Sequence, residues 1–142
     1  MNIVDANVLL SAVNDDSDDH AAARAWLDGS LSGGQIVGFS WIVMVAFMRV
    51  ATRPRLFSRP LSVDEGLDRV EHWIAAPSAM VVEPTPRHLS LVRSLLAPLG
   101  TGGNLVNDAH LAALSIEHRG SVVSFDTDFA LFQGITWHRP TR

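Results

Sequence analysis

The sequence predicts an α/β fold with a mostly parallel central sheet of about 4–5 strands and helices on both faces. Short apolar runs alternate along the chain with longer helical segments, which is the order typical of parallel β–α–β units. The runs predicted as strands are almost entirely apolar, as expected for strands covered on both faces. The chain has the usual length of one domain, and we expect residues 1–142 to form a single domain.

Local signals place the elements of the first half. Four acids within residues 15–19 favour a helix start there, because carboxylates are stabilised at helix N-termini. Ser40 is a candidate N-cap, and the spacing of Ser62 and Glu65 is that of a capping box. The predicted elements are a strand at 2–4, a helical stretch after it, a helix at about 20–27, a turn at 29–34, a strand at 35–39, and helices at about 41–51 and 63–75.

The second half repeats the alternation. Thr85 and Pro86 are typical of an N-cap followed by proline at the first helical position, and Gly120 is typical of a helix end. The predicted elements are a strand at 80–83, a helix from 86 to about 96, a loop at 101–104, a helix at 105–118, a strand at 121–125, a short turn or helix at about 128–132, and an edge strand at 135–137.

The composition excludes several classes of protein. The chain has no Cys, no Tyr and no Lys, so thiol chemistry, P-loop nucleotide hydrolysis and Schiff-base catalysis are excluded. The N-terminus lacks the pattern of a signal peptide. The most apolar run, residues 36–48, is shorter than the roughly 20 residues of a membrane-spanning helix. We therefore expect a soluble cytoplasmic protein that does not bind a membrane.

The basic residues are unevenly distributed. The net charge is −4, yet residues 29–63 contain no acid and four arginines, Arg49, Arg53, Arg55 and Arg59. Guanidinium groups match phosphate oxygens, so these arginines are candidate contacts to a nucleic-acid phosphate backbone. Two other interpretations remain open: a solvated surface, or arginines paired with the acidic helix that follows.

Four aspartates are the candidate catalytic residues. Asp5 and Asp126 each follow a predicted strand, and ligands of open parallel sheets bind at the carboxyl ends of strands. Asp108 lies near a helix start, and Asp128 follows Asp126 by two residues. Converging carboxylates repel one another, so a cation must neutralise their charge. Mg²⁺ and Mn²⁺ are the divalent cations that prefer such all-oxygen ligands. Taken singly, each acid could instead be an ordinary cap or turn residue.

Three sequence blocks resemble a known family. They are IVDAN at residues 3–7, NLVNDAHLAAL at 104–114 and SFDTDF at 124–129. Together they resemble the PIN-domain family, and more narrowly the VapC-type toxins of bacterial toxin–antitoxin pairs. The stretch from Ser40 to Pro54 resembles the actinobacterial branch. The resemblance covers nearly the whole chain.

The resemblance implies a fold and an activity. The family has a three-layer sandwich and cleaves structured RNA, often tRNA or rRNA, with Mg²⁺ or Mn²⁺. It further implies a homodimer and inhibition by a VapB-type antitoxin. By position, Asp5, Asp108 and Asp126 match the family's metal-binding acids, Asp128 matches an additional catalytic acid, and Asn7 matches a polar residue that supports the first acid.

One position departs from the family pattern. A Glu is usual on the helix predicted at 41–51, and the register puts Ala46 there. We therefore expect one well-bound metal ion. The departure also leaves open a second interpretation, a non-catalytic PIN-like module that binds RNA or a protein partner without cleaving.

The histidines suggest a further alternative, acid–base cleavage without a metal. His110 lies two residues after Asp108 on the same predicted helix, so its side chain should point elsewhere. The other histidines show no evident mutual spacing, which argues against this mechanism.

Overall fold

The computed structural model describes residues 1–54 and 58–141. Its five strands are β1 (Asn2–Val4), β2 (Val37–Phe39), β3 (Ala79–Val81), β4 (Ser121–Val123) and β5 (Trp137–His138). They form one sheet in the order β3-β2-β1-β4-β5, and every pairing is parallel. The predicted α/β architecture is therefore confirmed.

The helices fall into two groups. They are α1 (Ala6–Val13), α2 (His20–Gly29), α3 (Trp41–Ala51), α4 (Val63–Ala75), α5 (His88–Leu96) and α6 (Leu105–Glu117). Parallel crossovers are right-handed, so α1 to α4 cover one face of the sheet, while α5 and α6 cover the other. The contacts follow this division, because α1 packs on α2 and α3, α3 packs on α4, and α5 packs on α6.

The core lies on both sides of β1. Ile3 and Val4 of this central strand are fully buried, together with large side chains from both helical layers such as Phe47 and Leu114. An aromatic edge contact between Phe47 and Trp73, with ring centroids 5.0 Å apart, joins α3 to α4. Among the described residues, no helix has the length and apolar character required to cross a bilayer.

Two local predictions are wrong, and a third holds without the expected hydrogen bond. The turn predicted at 29–34 is a π-helical continuation of α2, Ser30–Gly34, ended by Gly33 at φ 109°. Helix α5 begins at His88, because the Thr85 hydroxyl accepts from Arg87 N and closes a separate turn around Pro86. The Ser40 hydroxyl is buried and makes no capping hydrogen bond, although α3 does begin directly after it.

The order of the strands fixes where side chains can converge. Strand β1 pairs with β2 on one side and β4 on the other, and the crossovers change direction between β1 and β4. Ligands of such sheets bind at this switch point, beyond the carboxyl ends of the strands. Asp5 follows β1 directly, and Asp126 follows β4 after two residues.

Candidate functional site

A cavity of about 450 Å³ opens at the carboxyl ends of β1 and β4. All four aspartates selected from the sequence line it. Its other wall is largely apolar and comes from α3 and α6. The remaining lining residues are Ala6, Ile42, Val43, Ala46, Asn104, Asn107 and Leu111. The sequence-predicted acids therefore meet in one cavity.

Three of these acids present a compact set of oxygen atoms. One carboxylate oxygen each from Asp108, Asp126 and Asp128 lies within 4.8 Å of the other two. Asp108 comes from the first turn of α6, and the other two come from the turn after β4. That turn is held by the Asp128 backbone N–H, which donates to Asp126 Oδ1 at 2.9 Å.

Asp5 lies in the same cavity but is hydrogen-bonded differently. Its Oδ1 accepts from the Ala6 N–H at 2.7 Å, so Asp5 also caps α1. Its Oδ2 accepts from the Ser124 hydroxyl at 2.7 Å and from Asn7 Nδ2 at 3.2 Å. Asp5 is therefore both a helix cap and a member of the acidic group.

Asn7 and Ser124 connect β1 to β4. Asn7 Nδ2 donates to Ser124 Oγ at 2.9 Å, and Asn7 Oδ1 accepts from the Phe125 N–H at 3.1 Å. Ser124 Oγ also accepts from the Asp126 N–H at 3.0 Å. Sequence reasoning found Asn7 but missed Ser124, which is fully buried. The available signal was a serine at the end of an apolar strand, two residues before an aspartate.

Burial and neighbouring acids raise the pKa of Asp108 and of Asp5. The pKa of Asp108 is raised to about 6, mainly by burial and further by the charges of Asp126, Asp5 and Asp128. Burial also raises the pKa of Asp5, with a further contribution from Asp126, against hydrogen bonds from Ser124 and Ala6 that lower it. The cavity therefore holds more negative charge than its own residues neutralise.

The donor set fits a hard divalent cation. Two ionised carboxylates about 5 Å apart repel by roughly 3 kcal/mol at an effective dielectric of 20. Carboxylate oxygens suit Mg²⁺ or Mn²⁺, whereas zinc sites favour nitrogen and sulfur ligands. Asp108, Asp126 and Asp128 are the residues best placed to share such an ion, and Asp5 stands beside them.

Helix α3 contributes no carboxylate to this cavity. Ala46 lines it together with Ile42 and Val43, so the position where the family pattern has a Glu is apolar. Further along α3 and beyond it, Arg49, Arg53 and Arg59 are exposed, while Arg55 lies outside the described residues. The ion pairs found between described residues involve other groups, so these three arginines do not pair with α4 there.

Two of the histidines lie in contact, although the sequence showed no spacing that would predict it. His88 and His110 are in contact, with Nε2 and Nδ1 2.8 Å apart, and His88 also binds Glu117. Sequence reasoning saw no mutual spacing because the two histidines lie on different helices. Burial lowers the pKa of His110, and the neighbouring His88 lowers it further.

Comparison with known proteins adds three findings. The PIN-domain sequence profile matches residues 3–134. The chain is 54% identical to Ribonuclease VapC37 of Mycobacterium tuberculosis over 140 residues, which cover 99% of this chain and 97% of that protein. In structure it is similar to VapBC2 from Rickettsia felis bound to a promoter DNA fragment, with a TM-score of 0.70, 14% identity and coverage of 99% and 98%.

A second solved structure has a similar fold. It is Mycobacterium tuberculosis VapC20, described as a toxin that cleaves the sarcin–ricin loop. The TM-score is 0.67 at 17% identity, with coverage of 99% of this chain and 100% of that one. At such identities the likeness concerns the fold alone.

Proposed function

Because the chain belongs to the PIN-domain family, we propose that it is a metal-dependent endoribonuclease of the VapC type, the toxin of a toxin–antitoxin pair. The observation that carries the proposal is the convergence of Asp108, Asp126 and Asp128 oxygens within 4.8 Å of one another. The ribonuclease name of a relative that is 54% identical supports the same activity. The proposed substrate is a structured cellular RNA, tRNA or rRNA, which makes the cytoplasm the proposed location.

Mg²⁺ or Mn²⁺ is the proposed cofactor. Asp108, Asp126 and Asp128 would hold it, and Asp5 would bind it directly or through water. When bound, such an ion lowers the pKa of a ligated water and stabilises the charge that develops on a phosphate. No lysine can supply the positive charge in place of the ion, since the chain contains none.

The surrounding residues orient the acids. Ser124 and Asn7 donate to Asp5 Oδ2 and direct it towards the cavity with a fixed geometry. Ser124 also fixes the Asp126 backbone, so one hydroxyl positions acids from two strands. The exposed arginines, Arg49, Arg53 and Arg59, would contact the RNA phosphates that extend beyond the cavity.

The decisive experiment is RNA cleavage with purified protein. Total RNA and a tRNA transcript are incubated with Mg²⁺ or with EDTA, and the ends of the products are mapped. We expect metal-dependent fragments with 5′-phosphate and 3′-hydroxyl ends, and no cleavage by Asp108→Asn. Cleavage that persists in EDTA would support the histidine mechanism instead.

A non-catalytic module remains the alternative, and Ala46 in the cavity wall is the observation that favours it. In that case RNA is retained in a gel-shift assay with Mg²⁺ and is not cut. Retention without cleavage, at enzyme concentrations equal to those of the RNA, would contradict the proposed nuclease.

The apolar wall also supports one well-bound ion. Anomalous scattering from crystals soaked in Mn²⁺ should show a single strong site among the acids. Two fully occupied ions in the absence of RNA would contradict this. The Ala46→Glu variant adds the missing carboxylate, so we expect it to bind a second ion more tightly than the wild type does.

Two protein partners are proposed as well. Trp41 and Val45 of α3 are 54% and 61% exposed, and Ile42 beside them is 40% exposed, which is an apolar surface suited to a homodimer. A Val45→Glu substitution should shift the mass measured by light scattering from dimer to monomer. Similarity to VapBC structures supports a VapB-type antitoxin as the second partner, tested by co-purification with the product of the adjacent gene.

A further inference from the structure

A buried polar network joins α5 to α6 on the side away from the acids. Glu117, the last residue of α6, has no exposed side-chain surface. Its Oε1 accepts from both the backbone N–H and the hydroxyl of Thr85, the backbone bond being 2.9 Å long. Its Oε2 contacts His88 Nδ1 at 2.8 Å, and His88 Nε2 contacts His110 Nδ1 at 2.8 Å.

The arrangement fixes the hydrogen-bond directions. An ionised carboxylate only accepts, so His88 Nδ1 carries a hydrogen and donates it to Glu117. The contact between His88 and His110 then holds one hydrogen between two ring nitrogens. The two rings meet edge to face, with centroids 4.6 Å apart. Each polar atom of His88 is therefore committed to one partner on α6.

The network contacts α6 at two positions along the helix axis. His110 and Glu117 are seven residues apart, which is about two turns, so they share one face of the helix. His88 spans both of them, and Thr85 anchors Glu117 to the segment that follows β3. A slide or rotation of α6 would break at least one of these contacts.

The other buried side chains of α6 are mostly apolar. They are Ala109, Leu111, Ala112, Ala113 and Leu114, and apolar contacts of this kind have no fixed direction. Asp108 stands in the first turn of the same helix, facing three other acids that repel it. Apolar contacts are non-directional, whereas the hydrogen bonds of the network add directional constraints that oppose a displacement of α6 under this repulsion.

We propose that Glu117, His88 and His110 are positioning residues that fix α6 and thereby hold Asp108 at the spacing a divalent cation requires. The inference rests on the proposed function, because it assumes that Asp108 binds a cation. These residues act through the helix and do not touch the substrate or the ion.

The test compares His88→Gln with Leu95→Val. Glutamine cannot reach Glu117 and His110 together, whereas Leu95 is the buried apolar residue of α5 and lies outside the network. Both variants loosen α5, and their melting temperatures report by how much. The measured quantity is the Kd of Mn²⁺, followed by electron paramagnetic resonance at neutral pH.

We expect His88→Gln to raise the Kd up to about 10-fold, the lower end of the range for losing a group bonded directly to a metal ligand, because His88 acts on Asp108 only through α6. Leu95→Val should leave the Kd within about twofold of the wild type at a similar fall in melting temperature. Equal Kd values in the two variants would overturn the proposal. If His88→Gln does not fold, His110→Gln, which keeps the bonds to Glu117, takes its place with the same expectation.

The outcomes separate this inference from the proposed function. Wild-type protein that neither binds Mn²⁺ nor cleaves RNA would contradict the proposed function. Wild-type protein that does both, with His88→Gln and His110→Gln binding Mn²⁺ as tightly, would contradict the positioning role alone.

Discussion

The two ends of α6 carry carboxylates whose pKa values are shifted in opposite directions. Asp108, in the first turn, has its pKa raised to about 6, and Glu117, the last residue, has its pKa lowered. The helix dipole acts in the other direction, since it favours a negative charge at the N-terminus and disfavours one at the C-terminus. Local partners therefore outweigh the dipole at both ends.

The partners explain the difference. Burial raises the pKa of Glu117, but hydrogen bonds from Thr85 and His88 more than compensate. At Asp108, burial and the charges of three other acids all raise the pKa, and no hydrogen bond from a described residue offsets them. A carboxylate supplied with donors stabilises the fold, whereas one surrounded by acids is available to a cation.

The largest expected effect comes from Asp108→Asn. Cleavage should fall at least about 100-fold, because an ion held by these acids supplies several kcal/mol of transition-state stabilisation. In EDTA the variant should melt at a higher temperature than the wild type, because the repulsion is relieved. Initial rates and thermal melts measure the two effects. Asp64→Asn, at an exposed first-turn acid of α4, is the control, and it should leave cleavage unchanged and should not raise the melting temperature. Cleavage at the wild-type rate would remove Asp108 from the site.

Ser124→Ala should weaken Mn²⁺ binding about 10- to 100-fold, as removal of partners of metal ligands does. Asp5 then loses a donor, and the Asp126 N–H loses its acceptor. Calorimetric titration with Mn²⁺ measures the change. The matched control is Ser115→Ala, since this buried hydroxyl donates to the Ala112 carbonyl of its own helix. Equal affinities of the two variants would show that Ser124 has no role in orienting the acids.

Glu117→Gln should have the opposite effect on stability to Asp108→Asn. Replacing a buried acceptor and leaving donors poorly paired costs about 1–3 kcal/mol of unfolding free energy. Urea denaturation measures it, with Glu71→Gln on the exposed side of α4 as control. Two substitutions that neutralise carboxylates on one helix would then stabilise in one case and destabilise in the other. A stabilising Glu117→Gln would contradict the comparison.

The smallest expected effect is a dependence on pH. The pKa of Asp108 rises from an ordinary 3.8 to about 6 on folding, so the folded state binds this proton more tightly. The stability that protonation contributes is therefore present at low pH and is lost as the pH rises through about 6. In EDTA, the melting temperature of Asp108→Asn minus that of the wild type should increase by a few degrees as the pH is raised from about 4 to 6. A difference independent of pH would mean that the pKa of Asp108 is not raised.

The acids could be predicted because their positions follow from chain topology. Asp5 and Asp126 follow strands, and the carboxyl ends of parallel strands lie at one edge of a sheet. The roles assigned to the four aspartates and to the arginines remain predictions. The capping box of Ser62 and Glu65 formed as expected, because it depends only on residues three apart.

The missed features depend on contacts between distant segments. His88 and Glu117 are separated by 29 residues, and their contact depends on how α5 and α6 are offset. Ser124 became visible only when β1 and β4 were paired. Ser40 is the N-cap residue of α3 as predicted, but its hydroxyl is buried and makes no capping hydrogen bond, which the sequence could not show.

The central place of β1 has a consequence for biosynthesis. β1 precedes the other four strands along the chain, yet one of its neighbours is β4, and the cavity contains acids that follow both strands. Ribosomes deliver a protein from its N-terminus, so Asp5 appears long before Asp126 and Asp128. An unfinished chain therefore lacks half of its acidic residues at the cavity. A protein of this design cannot assemble its full acidic site until Asp126 and Asp128 have been synthesised.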